Sequence, residues 1–328
     1  SQRQTFVAAL HDALASHNSA VQAKQGRTLF RRLNRVEYEN TLRELLALGQ
    51  LEVSEMLPPD SSAGGFDNVG SALDVSYVQI SRYLDAAGAA LDQAMMLSPQ
   101  PKTEMTRLEA KTNGRFSQVL RKAQEAVPVG EAVGLLRQPN TAQAPWWWSK
   151  FTPPADGYYR LRMKTFGFVW DQGKVLPPER NHVVTYHAVQ GSTKRPLGTF
   201  DINGTPEQPT VHEFTAFIRR GDQLQVWFET LDDRNKGQRP LDEYTAPGVA
   251  VEWIEIEGPL IEQWPPASYA ALFGDLPMEP WTPDTGLREP PLPMIINGVG
   301  KRAKLEPAKR NKITLMHVVS KQPKEDAR

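Results

Sequence analysis

Three consecutive indoles, Trp146-Trp147-Trp148, stand just before a run of strand-like sequence, with Trp170 and Tyr244 further along. Flat aromatic faces bind sugar rings by stacking on their axial C–H groups, while nearby polar side chains fix orientation. Trp146, Trp148, Trp170 and Tyr244 are therefore the candidate glycan-binding residues. Strand alternation puts Trp147 on one face and its two neighbours on the other, so the triplet also suits core packing. A second group is Glu229 with Asp232 and Asp233, followed by Asp242 and Glu243 on the same loop. Closely spaced carboxylates on a loop are what a hard cation such as calcium takes, and Glu229, Asp232 and Asp233 are the candidate ligands. The usual Asp-x-Asp-x-Asp-Gly order is missing. The same three carboxylates are the acids that a polysaccharide-active enzyme would draw on.

Other chemistry has little footing. No His-Glu-x-x-His, Gly-x-Ser-x-Gly or Walker pattern occurs. Gly298-Val299-Gly300-Lys301-Arg302-Ala303 fits a dinucleotide fingerprint in letters, but Pro307 cuts short the helix such a site needs. His182 and His187 are five apart on a predicted strand, which points them to opposite faces. His11 and His17 fall on different faces of the first helix, as surface residues. Asp60 and Asp67, in a Pro- and Gly-rich loop, suit turn capping better than acid–base work. Cysteine is absent, which excludes disulfides, thiolate chemistry, iron–sulfur ligation and c-type haem attachment in this chain. No cofactor is expected in the segment.

The elements that must position these groups divide the 328 residues into two kinds of sequence. Residues 1–98 read as a small helical domain. Phe6, Leu10 and Leu14 form a stripe on a helix ending near Gly26. Asn34, with Glu37 three residues on, has the spacing of a capping box before Val36, Tyr38, Leu42, Leu45 and Leu46. The loop from Leu57 to Gly70 carries Phe66, which predicts that Phe66 pins the loop onto that helix near Tyr38 and Leu42. Ser76 is the predicted N-cap of a helix with Ile80, Leu84, Ala87, Leu91 and Met95 on one side.

After a connector at 99–127, residues 128–260 read as short strands punctuated by Gly, Pro and Asn, the pattern of an antiparallel sandwich. Residues 261–328 read as an extended Pro-rich tail leading to a further domain. It carries a basic cluster (Lys301, Arg302, Lys304, Lys309, Arg310 and Lys312) that suits a solvated linker. Basic and acidic residues balance at 38 each, so no overall field draws the chain to nucleic acid or an anionic membrane. No apolar run approaches the roughly 18–20 residues that span a bilayer.

The strings RRLNRVEYENTLRELL, LPPDSSAGGFDNVG and SYVQISRYLDAAGAALDQAM resemble a domain of unknown function from Planctomycetes and Verrucomicrobia, over about residues 28–97. That domain occurs in large exported proteins that often carry a cytochrome c-type haem domain upstream. The resemblance implies an exported, periplasmic or cell-surface setting, neighbouring domains of the parent polypeptide as partners, and haem only outside this chain. It brings no activity. PPADGYYRLRM, LGTFDI, IRRGDQLQVWFE and PGVAVEWIEIEGP resemble the strands of carbohydrate-binding-module-like jelly rolls.

The expected fold is α+β and multidomain: a small N-terminal helical domain and a C-terminal antiparallel β-sandwich of jelly-roll type. The expected role is a non-catalytic, carbohydrate-binding and scaffolding segment with a polysaccharide or glycan as partner. The alternatives are an enzyme module using the loop carboxylates, or a structural spacer. Ser1 enters helical sequence directly and residues 321–328 read as the start of a helix, so a segment of a longer polypeptide is expected.

Overall fold

A computed structural model describes residues 2–25, 31–62, 65–68, 73, 76–95, 98–114, 116–118, 126–136, 146–191, 193–231, 241–243, 245–290, 292, 294–297, 304–307 and 313–321. The chain divides into a helical unit, residues 1–96 with 267–274, and a β-rich unit formed by the rest.

The helical unit has α1 (Gln2–Gln25), α2 (Arg35–Leu45), α3 (Tyr77–Ala94) and the short α4 (Ala267–Phe273). α2 starts at a complete capping box: Asn34 Oδ1 accepts from Glu37 N–H at 2.8 Å, and Asn34 N–H donates to Glu37 Oε2 at 2.9 Å. Glu37 also takes two bonds from Arg31, and these hold its carboxyl at a pKa of about 2. α3 repeats the device with Ser76 and Gln79. The core joins Leu42, Leu46, Leu48, Leu51, Val53 and Leu57 to Ala86, Ala90 and Ala94, with Tyr38 edge-on to Tyr83 and Leu272 of α4 packed against it.

One expectation fails here. Phe66 is 67 % exposed, so it does not pin its loop. Asp60 does so instead: its carboxylate takes Arg35 N–H and Arg32 Nη1, each at 2.7 Å. On α3, Ile80, Leu84, Leu91 and Met95 do share a side, but that side is exposed. The helix packs through Tyr83, Ala86, Ala90 and Ala94, where small side chains let the backbone approach closely.

The β-rich unit is built on two antiparallel sheets. The larger joins β2 (Ala126–Val129), β3 (Ala132–Leu135), β11 (Thr245–Leu260), β5 (Gly157–Asp171) and β6 (Lys174–Leu176) in that order. β1 (Glu104–Glu109) pairs with β11 and β9 (Thr210–Ile218) with β5. The smaller joins β4 (Trp146–Trp147), β10 (Gln223–Phe228), β7 (His182–Gln190) and β8 (Thr193–Ile202). Tyr159, Leu161 and Met163 of β5 meet Val184 and Tyr186 of β7 and Leu224, Val226 and Phe228 of β10 in one buried cluster. A shared core between two sheets defines a sandwich.

Residues 99–127 are therefore not a connector, because β1 and β2 are strands of the larger sheet. The tail is not simply extended either. It contributes α4 and two small ribbons, β12 (Met278–Pro280) with β15 (Met316–Val318), and β13 (Met294–Asn297) with β14 (Lys304–Pro307). Apart from the strand position of Lys304, the basic cluster lies outside the described residues, as do residues 322–328 of the predicted terminal helix.

Candidate functional site

β10 sets the site by simple alternation. Leu224, Val226 and Phe228 point into the core, so Gln223, Gln225 and Trp227 point out. β4 pairs with it so that Trp146 opposes Val226 and Trp147 opposes Gln225. Trp146 and Trp148 are consequently core residues, 0 % and 1 % exposed; Trp146 stacks on Phe116 and Trp148 packs tilted against it, at centroid distances of 5.2 and 4.9 Å. The expectation that these two bind a glycan is overturned: neither has a face to offer. Trp147, between them, is the outward, half-buried indole.

On the other flank of β10, Gln225 opposes His187 and Trp227 opposes Thr185 of β7, while β8 places Pro196 opposite His187 and Thr199 opposite Thr185. Two rows thus run across the sheet: Trp147–Gln225–His187–Pro196 and Trp227–Thr185–Thr199. The second indole is locked, since Trp227 Nε1 donates to Gln225 Oε1 at 2.8 Å. Lys194 Nζ sits over the Trp227 ring, 4.2 Å from its centroid. The hydroxyls of Thr185 and Thr199 lie 3.1 Å apart. His187 Nδ1 is buried and has no hydrogen-bond partner among the described residues. Burial, and then the nearby Lys194 charge, lower the His187 pKa to about 4, so the ring is neutral near pH 7. Burial lowers Lys194 as well, opposed by the Glu229 carboxylate.

The remaining candidates scatter. Trp170 is half-buried on β5 of the larger sheet and packs against the satellite cluster of Val127, Ala132, Phe166, Phe168 and Ala250. It is not brought together with Trp147. Tyr244, Asp232 and Asp233 lie outside the described residues. Glu229 is exposed, and its charge acts on Lys194. Asp242 and Glu243 are exposed on a short 3-10 turn. Among the described residues, no three His, Asp or Glu side chains are grouped as a metal site. His182 and His187 do fall on opposite faces: His182 points inward, with Nδ1 2.8 Å from Thr230 Oγ1, and its pKa is lowered by burial to about 4.

Trp227 is the residue that sequence reasoning missed. Its signal was present in the alternation Gln223-Leu224-Gln225-Val226-Trp227-Phe228, polar or amphipathic at every odd position. Asp156 and Asp222 were missed too. Burial raises the pKa of each, and they accept Arg220 N–H and Arg219 N–H at 2.7 and 2.8 Å, while Asp222 also pairs with Arg195. These bonds make both carboxylates turn anchors.

Residues 31–96 match PSD3, a protein family of unknown function (DUF1587). No curated protein matches the chain. Among solved structures, the chain is similar to the C-terminal CBM6 of LamC, a marine laminarinase from Zobellia galactanivorans, at 11 % identity, with 47 % of this chain and 100 % of that one covered and a TM-score of 0.29. A carbohydrate-binding module of Cellvibrio mixtus lichenase 5A, in complex with cellotriose, follows at 13 % identity, 47 % and 96 % coverage and a TM-score of 0.24. Eiger TNF from S. frugiperda is similar at 8 % identity, 52 % and 93 % coverage and a TM-score of 0.22.

Proposed function

We propose that the β-sandwich binds polysaccharide through the outward face of its four-stranded sheet. The observation that carries this reading is the outward row Trp147–Gln225–His187, beside a second indole that Gln225 fixes through Trp227 Nε1. Two aromatic surfaces on rigid strands suit stacking on successive sugars. The exposed Thr199 and the half-buried, neutral His187 ring offer donors and acceptors to hydroxyl groups, while the buried Gln225 holds Trp227 in place. No general acid or nucleophile is needed for this role, which is binding and scaffolding. On this reading the chain is a non-catalytic segment of a larger exported protein, at the cell surface or in the periplasm, with any haem carried by another domain. The resemblance of the helical kernel supports that setting.

Affinity electrophoresis on a panel of neutral and acidic polysaccharides tests the reading. Retardation is expected on at least one. It should weaken roughly tenfold or more with Trp147→Ala or Trp227→Ala, an aromatic contact and its area each contributing on the order of 1 kcal/mol or more. Trp170→Ala should leave it unchanged. No retardation on any polysaccharide, or retardation indifferent to Trp147 and Trp227, leaves the sandwich a structural spacer.

A further inference from the structure

Two helices of the helical unit each carry an apolar stripe that is exposed in the described structure. On α1 these are Phe6, Leu10 and Leu14; on α3 they are Ile80, Leu84, Leu91 and Met95. A helix in water draws most of its stability from burying one face, so a helix of 24 residues with its whole stripe in solvent is poorly supported. The α1 stripe is the shorter, and its spacing matches the C-terminal part of the α3 face read in reverse. Taken forwards, α1 sets Phe6, Leu10, Leu14 and His17 at intervals of four, four and three. Taken backwards, α3 sets Met95, Leu91, Ala87 and Leu84 at the same intervals. Laid antiparallel, Phe6 therefore meets Met95, Leu10 meets Leu91, Leu14 meets Ala87 and His17 meets Leu84. Ala87, with Ala13 of α1 nearby in that register, gives room for close approach.

The chain's own anchoring leaves that direction open. Tyr83 Oη donates to Leu33 O at 2.7 Å and accepts from Arg32 Nη1 at 2.8 Å, so the segment before α2 is fastened beside the N-terminal half of α3. From Arg32 back to Gln25 the chain reaches about 25 Å at most. The C-terminal end of α1 is thus tethered within about 25 Å of Arg32, a reach that permits the antiparallel direction.

We infer that α1 folds back onto the outer face of α3 in the same chain, antiparallel and in this register, and closes the helical unit. The short tether gives α1 a high effective concentration at that face, which favours it over a second copy.

The chain has no cysteine, so paired substitutions report cleanly. In the full chain, Leu10→Cys with Leu91→Cys should close an intramolecular disulfide under mild oxidation, seen as a compact monomer of the corresponding mass. Leu10→Cys with Ile80→Cys, well out of register, should not. Hydrogen exchange on the unsubstituted chain gives an independent reading: α1 amides should be protected at least about tenfold over an unstructured peptide, in step with those of α3. Intermolecular disulfides alone, equal closure by both pairs, or unprotected α1 amides would each overturn the inference.

Discussion

The ammonium of Lys194 lies over the indole of Trp227, 4.2 Å from the ring centre, and occupies the surface on which a sugar would stack. A cation–π contact at a partly exposed site contributes about 0.5–1 kcal/mol. A neutral sugar at Trp227 must displace it. Lys194→Gln should therefore strengthen retention on a neutral polysaccharide by about two- to fivefold, the conversion of that energy. Affinity electrophoresis at matched gel loading measures this. Weaker retention in the variant means that the ammonium contacts the ligand and does not cover its seat.

His182 makes stability depend on acid. It is 1 % exposed, and burial, reinforced by the Arg180 charge, lowers its pKa from 6.5 to about 4. The unfolded chain takes up its proton at a higher pH than the folded chain does. The contribution of the neutral ring is thus complete above about pH 6.5 and is lost as pH falls towards 4, on the order of 3 kcal/mol in all. The thermal midpoint should fall across that window. His182→Asn, which keeps a donor near Thr230, should flatten the fall. A variant as acid-sensitive as the parent points to other buried groups.

Trp146 and Trp148 clasp Phe116 in the sandwich core. Trp146→Ala or Phe116→Ala should each cost about 3–5 kcal/mol. Trp147→Ala, one position away on the outward face, should cost far less. Denaturant midpoints at constant slope separate the two classes, and equal losses at Trp146 and Trp147 contradict the alternation.

That contrast also marks what the sequence could and could not convey. Alternation is a local property, so the triplet announced that one indole differs from its neighbours. The phase is set by pairing with Val226 on a strand some eighty residues away, which periodicity does not carry. The same gap appears on α3. The Ile80–Leu84–Leu91–Met95 stripe is real, yet the face packed in the described structure is the alanine face, because close backbone approach depends on the neighbour's shape. Capping boxes were legible because the whole device fits within four residues, as at Asn34 and Glu37. Asp60 was legible as a turn-former but not as the anchor of α2, since its partners Arg32 and Arg35 are more than twenty residues back.

Asp60 supports a last prediction, about the helical kernel. Its side chain is 3 % exposed and meets Arg32, itself only 13 % exposed, at 2.7 Å. The second carboxylate oxygen takes the backbone N–H of Arg35, one of the amides at the start of α2 that no intrahelical partner satisfies. Removing one member of a buried pair strands the other charge, which typically costs 3–5 kcal/mol, far more than an exposed pair contributes. Asp60→Ala should accordingly destabilise the helical unit by about that amount. Glu55→Ala, which removes an exposed partner of Arg35, should change stability by less than about 1 kcal/mol. Tyr83 also donates to Leu33 and accepts from Arg32, so Tyr83→Phe should fall between the two and couple strongly to Asp60→Ala in a double-mutant cycle. Additive losses would mean that Asp60 and Tyr83 hold Arg32 independently. A coupling of about 0.5 kcal/mol or more would show that they hold it as one network.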